Sequence, residues 1–170
     1  MDTKIQNQGV SQKRRIFLRV WEPDDDDPEG RTDYYAKAGR LEIEGWLYGV
    51  MDSDDVKEVV KRALEAKDAL PEDMAKAVDL AVNYLVAGVQ LGLTVVAAAV
   101  GNDDKGGGWN IKVEMFYNDD GRWAVDVRAL YEKHPYGAIV KRRVLLAQVT
   151  GEALRKVVER VVRVAYNAHL

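Results

Sequence analysis

This chain of 170 residues has no cysteine, so disulfides and thiolate-held metals are excluded. Its only histidines, His134 and His169, have no companions at ligand spacing. Neither a histidine-based zinc site nor a nucleophile–histidine–carboxylate triad is therefore expected. The glycine-rich stretch GNDDKGGGWN contains a lysine but lacks the Gly-Lys-Ser/Thr ending of a phosphate-binding loop, and it follows an expected helix instead of a strand. It reads as a connector. No stretch calls for a cofactor. The N-terminal segment MDTKIQNQGVSQKRR is polar, without the apolar core of a secretory signal. Residues 1–14 read as a flexible basic arm leading into Lys13, Arg14 and Arg15, and a cytoplasmic location is expected.

What the chain does have is 47% hydrophobic and 31% charged residues, a globular balance for a single domain over residues 15–170. The net charge of −3 is unevenly placed. Residues 122–163 hold ten basic and four acidic side chains, a net +6, so the remainder carries −9. Such asymmetry permits a polyanionic partner despite the acidic total. Abundant Val, Ala, Arg and Glu without cysteine suits a thermophile. The uncharged run from Leu80 to Val100, LAVNYLVAGVQLGLTVVAAAV, is long enough to span a bilayer. Asn83, Gln90, Thr94 and two glycines favour a long central helix buried in the core of the domain, continuous or broken into two near Gly88–Gly92.

Alternation of apolar and polar residues predicts strands over 15–22, 41–50, 109–117, 123–131 and 138–149. Helical spacing predicts a helix capped by Ser53, a second starting at Pro71 and running into the uncharged stretch, and a third capped by Thr150. The first two strands are expected to pair as a hairpin around a long acidic loop, DDDDPEGRTDYYAKAG. Pro23, Pro28, Pro71 and Pro135 all fall at the proposed edges. The resulting order β-β-α-α-β-β-β-α implies an α+β fold, an antiparallel sheet of about five strands with helices on one face.

Several patterns invite a chemical reading. In the acidic loop (24–33), Asp25, Asp27, Glu29, Gly30 and Asp33 approach the spacing of a calcium loop. Ala36 stands where its bidentate glutamate belongs, and Pro28 interrupts it. A solvated acidic tip, or a mask over basic residues, is the simpler reading. Glu42, Glu44, Glu114 and Asp126 could hold Mg²⁺ for phosphodiester cleavage if they share a face, but their spacing matches no nuclease signature and cross-strand pairing with nearby Lys and Arg is the better account. The fullest constellation is one sheet face bearing Phe17, Trp21, Trp46, Tyr48 and Phe116 among Arg15, Arg19, Lys112, Arg122 and Arg128. Arg142 joins it in one strand register, and the pair Lys141 and Arg143 in the other; we take Arg142. Aromatics beside cations suit single-stranded nucleic acid, whose bases stack without sequence readout while Lys and Arg neutralise phosphates. The same composition marks protein interfaces. On the last helix Leu154, Val158, Val161 and Ala165 approximate a heptad seam for a homo-oligomer, although packing on its own sheet would use the same residues.

The element order, with Trp21, Trp46, Phe116 and the surrounding arginines, resembles the single-stranded DNA-binding proteins of thermophilic crenarchaea that replace the OB-fold type. That resemblance implies an archaeal, non-enzymatic DNA-binding protein with an aromatic and basic cleft that dimerises through its C-terminal helix. The alternative is a virion or filament subunit whose arm and sheet aromatics are buried in contacts between copies. A metal-dependent nuclease ranks third.

Overall fold

The computed structural model describes residues 15–24, 26, 30–49 and 51–169. Seven strands and three helices follow in the order β1 (Ile16–Trp21), β2 (Arg31–Ala38), β3 (Leu41–Tyr48), α1 (Ser53–Glu65), α2 (Glu72–Gln90), β4 (Val95–Asn102), β5 (Gly108–Tyr117), β6 (Trp123–Lys133), β7 (Tyr136–Leu146) and α3 (Gly151–Tyr166). The class is α+β, as expected. One antiparallel sheet runs β1-β2-β3-β7-β6-β5-β4, with β4 and β1 at its edges. The arm and most of the calcium-like spacing (Asp25, Asp27, Pro28 and Glu29) lie outside the described residues.

Two strands correct the expected count of five. Residues 31–38, expected in the acidic loop, form β2, which lies between β1 and β3 and replaces their direct pairing. Thr32, Tyr34, Ala36 and Ala38 are buried, and Arg31, Asp33, Tyr35 and Lys37 alternate to the other side. The acidic run before it obscured this period of two.

The second addition divides the uncharged stretch. α2 stops at Gln90, and Gly92 turns the chain at φ 71°, a left-handed value that glycine adopts at little cost. The chain then returns as β4. The expected long buried central helix is therefore a helix and an edge strand packed on each other. Gly88 makes the contact possible, since a Cβ there would sit 2.2 Å from Val95 Cγ2. Nor is the stretch buried all round: Leu80 is 70% exposed and Val100 72%. No described helix is long and apolar enough to cross a membrane.

The helices cover one sheet face. α3 packs on β6 and β7, α2 on β4 with a smaller contact to β5, and α1 against α3 and β1. The cap of α1 is Asp52, one residue before the expected Ser53. Its carboxylate accepts from Asp55 N at 2.9 Å, and Asp55 reciprocates at Asp52 N. Thr150 caps α3 as expected, accepting from Ala153 N at 3.1 Å. Leu154, Val158, Val161 and Ala165 are buried against the chain's own strands, so the heptad-like seam is occupied internally. Arg155 pairs with Asp79 of α2, and Arg160 donates to the Leu64 carbonyl at the end of α1. Part of the basic C-terminal half thus joins helix to helix.

Replacing Gly88 with valine should cost about 2 kcal/mol, because the added carbons force α2 and β4 apart. A denaturation midpoint equal to or above that of the unsubstituted chain would contradict this packing.

Candidate nucleic-acid interface

With the helices on one face, strand alternation sends every other side chain to the opposite face, which no described helix covers. The register then fixes which residues meet. One row crosses the sheet as Phe17, Lys37, Glu42, Lys141, Arg128 and Lys112. A second holds Arg19, Tyr35, Glu44, Ile139 and Leu130, and a third Trp21, Asp33, Trp46 and Gly137. On the other side of the first row, Arg143, Asp126 and Glu114 are neighbours on β7, β6 and β5.

Of the expected site residues, Phe17, Arg19, Trp21, Trp46, Tyr48, Lys112, Phe116 and Arg128 alternate to this face. Arg15 is exposed just before β1, and Arg122 is exposed in the turn before β6. Arg142 is the exception. It is in register with Leu41 and Val127, both buried on the helix-bearing side, so its side chain belongs to that side. Lys141 and Arg143 take the place assigned to it. The β3–β7 register decides this, and no local pattern in KRR could. Tyr35 and Lys37 also lie on this face, and the acidic run ahead of β2 hides the alternation that would place them there.

Aromatics and cations lie side by side on this face. The rings cluster on β1–β3. Phe17 and Tyr35 meet edge to face at 6.3 Å, and Trp21 and Tyr48 are exposed. Trp46 lies flat on the sheet, over Gly137, where a Cβ would come within 2.3 Å of its Cζ2. Arginines cover several rings: Arg19 stands 5.5 Å from the Phe17 centroid, Arg31 5.3 Å from Trp46 and Arg143 5.4 Å from Phe116. Tyr48 packs against His134 at 4.6 Å.

The cations gather on β5–β7 around a shallow groove of about 380 Å³ lined by Lys112, Arg128, Lys141 and Arg143 with Glu42, Glu114 and Asp126. The carboxylates have cation or hydroxyl partners. Arg143 grips Asp126 through Nε at 2.6 Å and Nη2 at 2.8 Å. That contact holds the guanidinium above its ordinary pKa. Lys112 pairs with Glu114 at 2.8 Å and Lys141 with Glu44 at 3.8 Å. Tyr35 donates to Glu42 at 2.6 Å, and chiefly that hydrogen bond pushes the phenol up to about 12. Arg128, exposed between Lys112 and Lys141, makes no ion pair among the described residues. Such exposed pairs are worth about 0–1 kcal/mol, so they exchange readily for another anion.

The four carboxylates do not converge. β7 separates Glu42 and Glu44 from Asp126 and Glu114. Among the described residues no group of three or more His, Asp or Glu is placed to hold a metal ion. The glycine-rich loop is the β4–β5 hairpin turn, in which Asp103 Oδ1 accepts from Lys105 N at 2.9 Å and Gly107 N at 2.6 Å. Tyr131 also donates to Asp103, and these bonds hold that carboxyl below its ordinary pKa against an opposing effect of burial.

No protein-family model, curated protein or solved structure matches this chain.

Proposed function

We propose that the uncovered sheet face binds single-stranded nucleic acid, DNA in the first instance, without catalysing a reaction on it. The row of Lys141, Arg128 and Lys112 beside the aromatic strands carries this reading. At a strand spacing of about 4.8 Å the seven strands span roughly 29 Å, room for several nucleotides laid across them. Phosphates would lie on the row of cations, and bases would stack on Phe17, Trp21 and Tyr35. Trp46 would join once Arg31 swings off its ring. The weak ion pairs of Lys112 and Lys141 are compatible with phosphate displacing a carboxylate.

The assembly reading, a virion or filament subunit, is favoured by a different observation: the apolar surface of α2 and β4. The two readings need different residues, Phe17, Trp21 and Arg128 for nucleic acid and Leu80, Tyr84 and Val100 for contacts between copies, so mutation separates them.

Binding of labelled oligo(dT), followed by fluorescence anisotropy across salt, tests the proposal. Arg128→Ala should lower the slope of log K against log salt by about 0.7, one phosphate contact on a single strand. Trp21→Ala should cost about 1–3 kcal/mol, one stacked base, at an unchanged salt slope. Lys141→Ala should weaken binding more than Arg142→Ala, because the two side chains occupy different faces. Wild-type affinity in folded Arg128→Ala and Trp21→Ala variants would remove this face from the account.

Glu114→Gln separates binding from the nuclease alternative. It releases Lys112 and should tighten oligo(dT) binding severalfold. Mg²⁺-dependent cleavage by the wild type that this substitution abolishes would instead establish the enzyme.

A further inference from the structure

Of the ten large hydrophobic side chains exposed among the described residues, six come from one segment: Leu80, Tyr84, Leu91, Leu93, Val96 and Val100. They flank one edge of the sheet, Val96 and Val100 on the uncovered face in register with Glu114 and Asn110, the others on α2 and the turn after it. Leu80, Tyr84 and Leu91 are spaced by four and seven residues, so they share one flank of α2 or its immediate end. Asp79 lies on the other flank, where it meets Arg155 of α3. The Leu80 flank therefore faces away from α3, toward the outer edge of β4. On that side no described residue pairs with β4.

Edge strands are ordinarily blunted by charge, proline, a bulge or shortness. β4 is eight residues, VVAAAVGN, with neither charge nor proline. The opposite edge, β1, is six residues long and carries Arg19. β4 thus keeps a row of backbone donors and acceptors on an uncharged edge, beside an apolar helix flank.

We propose that this surface joins two copies of the chain. β4 pairs antiparallel with β4 of the second copy about a twofold axis perpendicular to the sheet, and the exposed flanks of the two α2 helices meet above the join. Three observations favour a second copy as the occupant. Antiparallel self-pairing places no like charges opposite one another, because the strand has none. A register centred on Ala98 sets the exposed Val96 against Val100 of the other copy. The exposed side chains stand on both sides of that edge, Leu80, Tyr84 and Leu91 with the helices and Val96 and Val100 on the uncovered face, so one join reaches both sets.

The layer geometry also agrees. With α2 set over β4 and reaching β5, its axis stands about one strand spacing from the dyad, so two copies lie ~10 Å apart, a helix-packing distance. The axis leaves both uncovered faces on the same side of a continuous fourteen-stranded sheet, twice the seven of one chain. This inference does not depend on what those faces bind.

The absence of cysteine makes the test clean, since Ala98→Cys supplies the only thiol. At the dyad the two Cα atoms would be about 4.5–5.5 Å apart, within the disulfide range. Mild oxidation should convert Ala98→Cys almost completely to a covalent dimer, while Glu58→Cys on α1 stays single. The wild type should sediment at twice the chain mass of 19.1 kDa. The double substitution Val96→Lys, Val100→Lys sets lysine against lysine and should sediment as one chain with unchanged far-ultraviolet circular dichroism. A wild type that is monomeric at high micromolar concentration overturns the proposal and leaves the edge to a strand of another protein. A dimer that survives the double substitution, with no Ala98→Cys cross-link, overturns it by placing the contact elsewhere.

Discussion

A β-strand must send alternate side chains to opposite faces, and here only one face has helices to cover it. Everything else in the structure depends on that asymmetry. The valines, alanines and leucines of β2–β7 fill the covered side and meet Leu154, Val158 and Val161 of α3 and Met74, Val78 and Leu85 of α2. The same alternation carries Phe17, Trp21, Trp46, Lys112, Arg128 and Lys141 to the side where no described helix packs. Removing them from that face would require a one-residue slip in register, which would also turn the core outward.

The parts legible in the sequence were those with a clean local period. β1, β3, β5, β6 and β7 were located to within a few residues, and all but β7 with their buried positions on the correct parity. α1 and α3 followed from apolar stripes and acidic or hydroxyl caps. Two failures had a common cause, a second signal lying over the first. In β2 the alternation of RTDYYAKA follows an acidic run that reads as a loop. In the stretch 80–100 an absence of charge reads as helix throughout, whole or broken near Gly88–Gly92, although Gly92 turns the chain into a strand and Gly88 clears a path for Val95. The third failure was Arg142. Which of three consecutive basic residues points outward is set by pairing with β3 and β6, information that lies at other positions in the chain.

The charge pattern shows the same limit. The basic excess of residues 122–163 divides once folded. Arg155, Arg160 and Arg163 make contacts on the helical side, while Arg128, Lys141 and Arg143 line the open groove. Composition gives the sum, and topology assigns it to surfaces. The aromatics, expected to interleave with the bases, occupy the strands beside them. Their proposed role is accordingly a platform adjoining a phosphate track.

Photocrosslinking of a single-stranded oligonucleotide carrying iododeoxyuridine, with the linked peptides identified by mass spectrometry, addresses the central claim most directly. The account predicts adducts on Phe17, Trp21, Tyr35 or Trp46, suppressed by excess single-stranded competitor and by salt. Adducts confined to Tyr84 or Tyr166 on the helical side, or none under conditions where a known single-strand binder links efficiently, would contradict it.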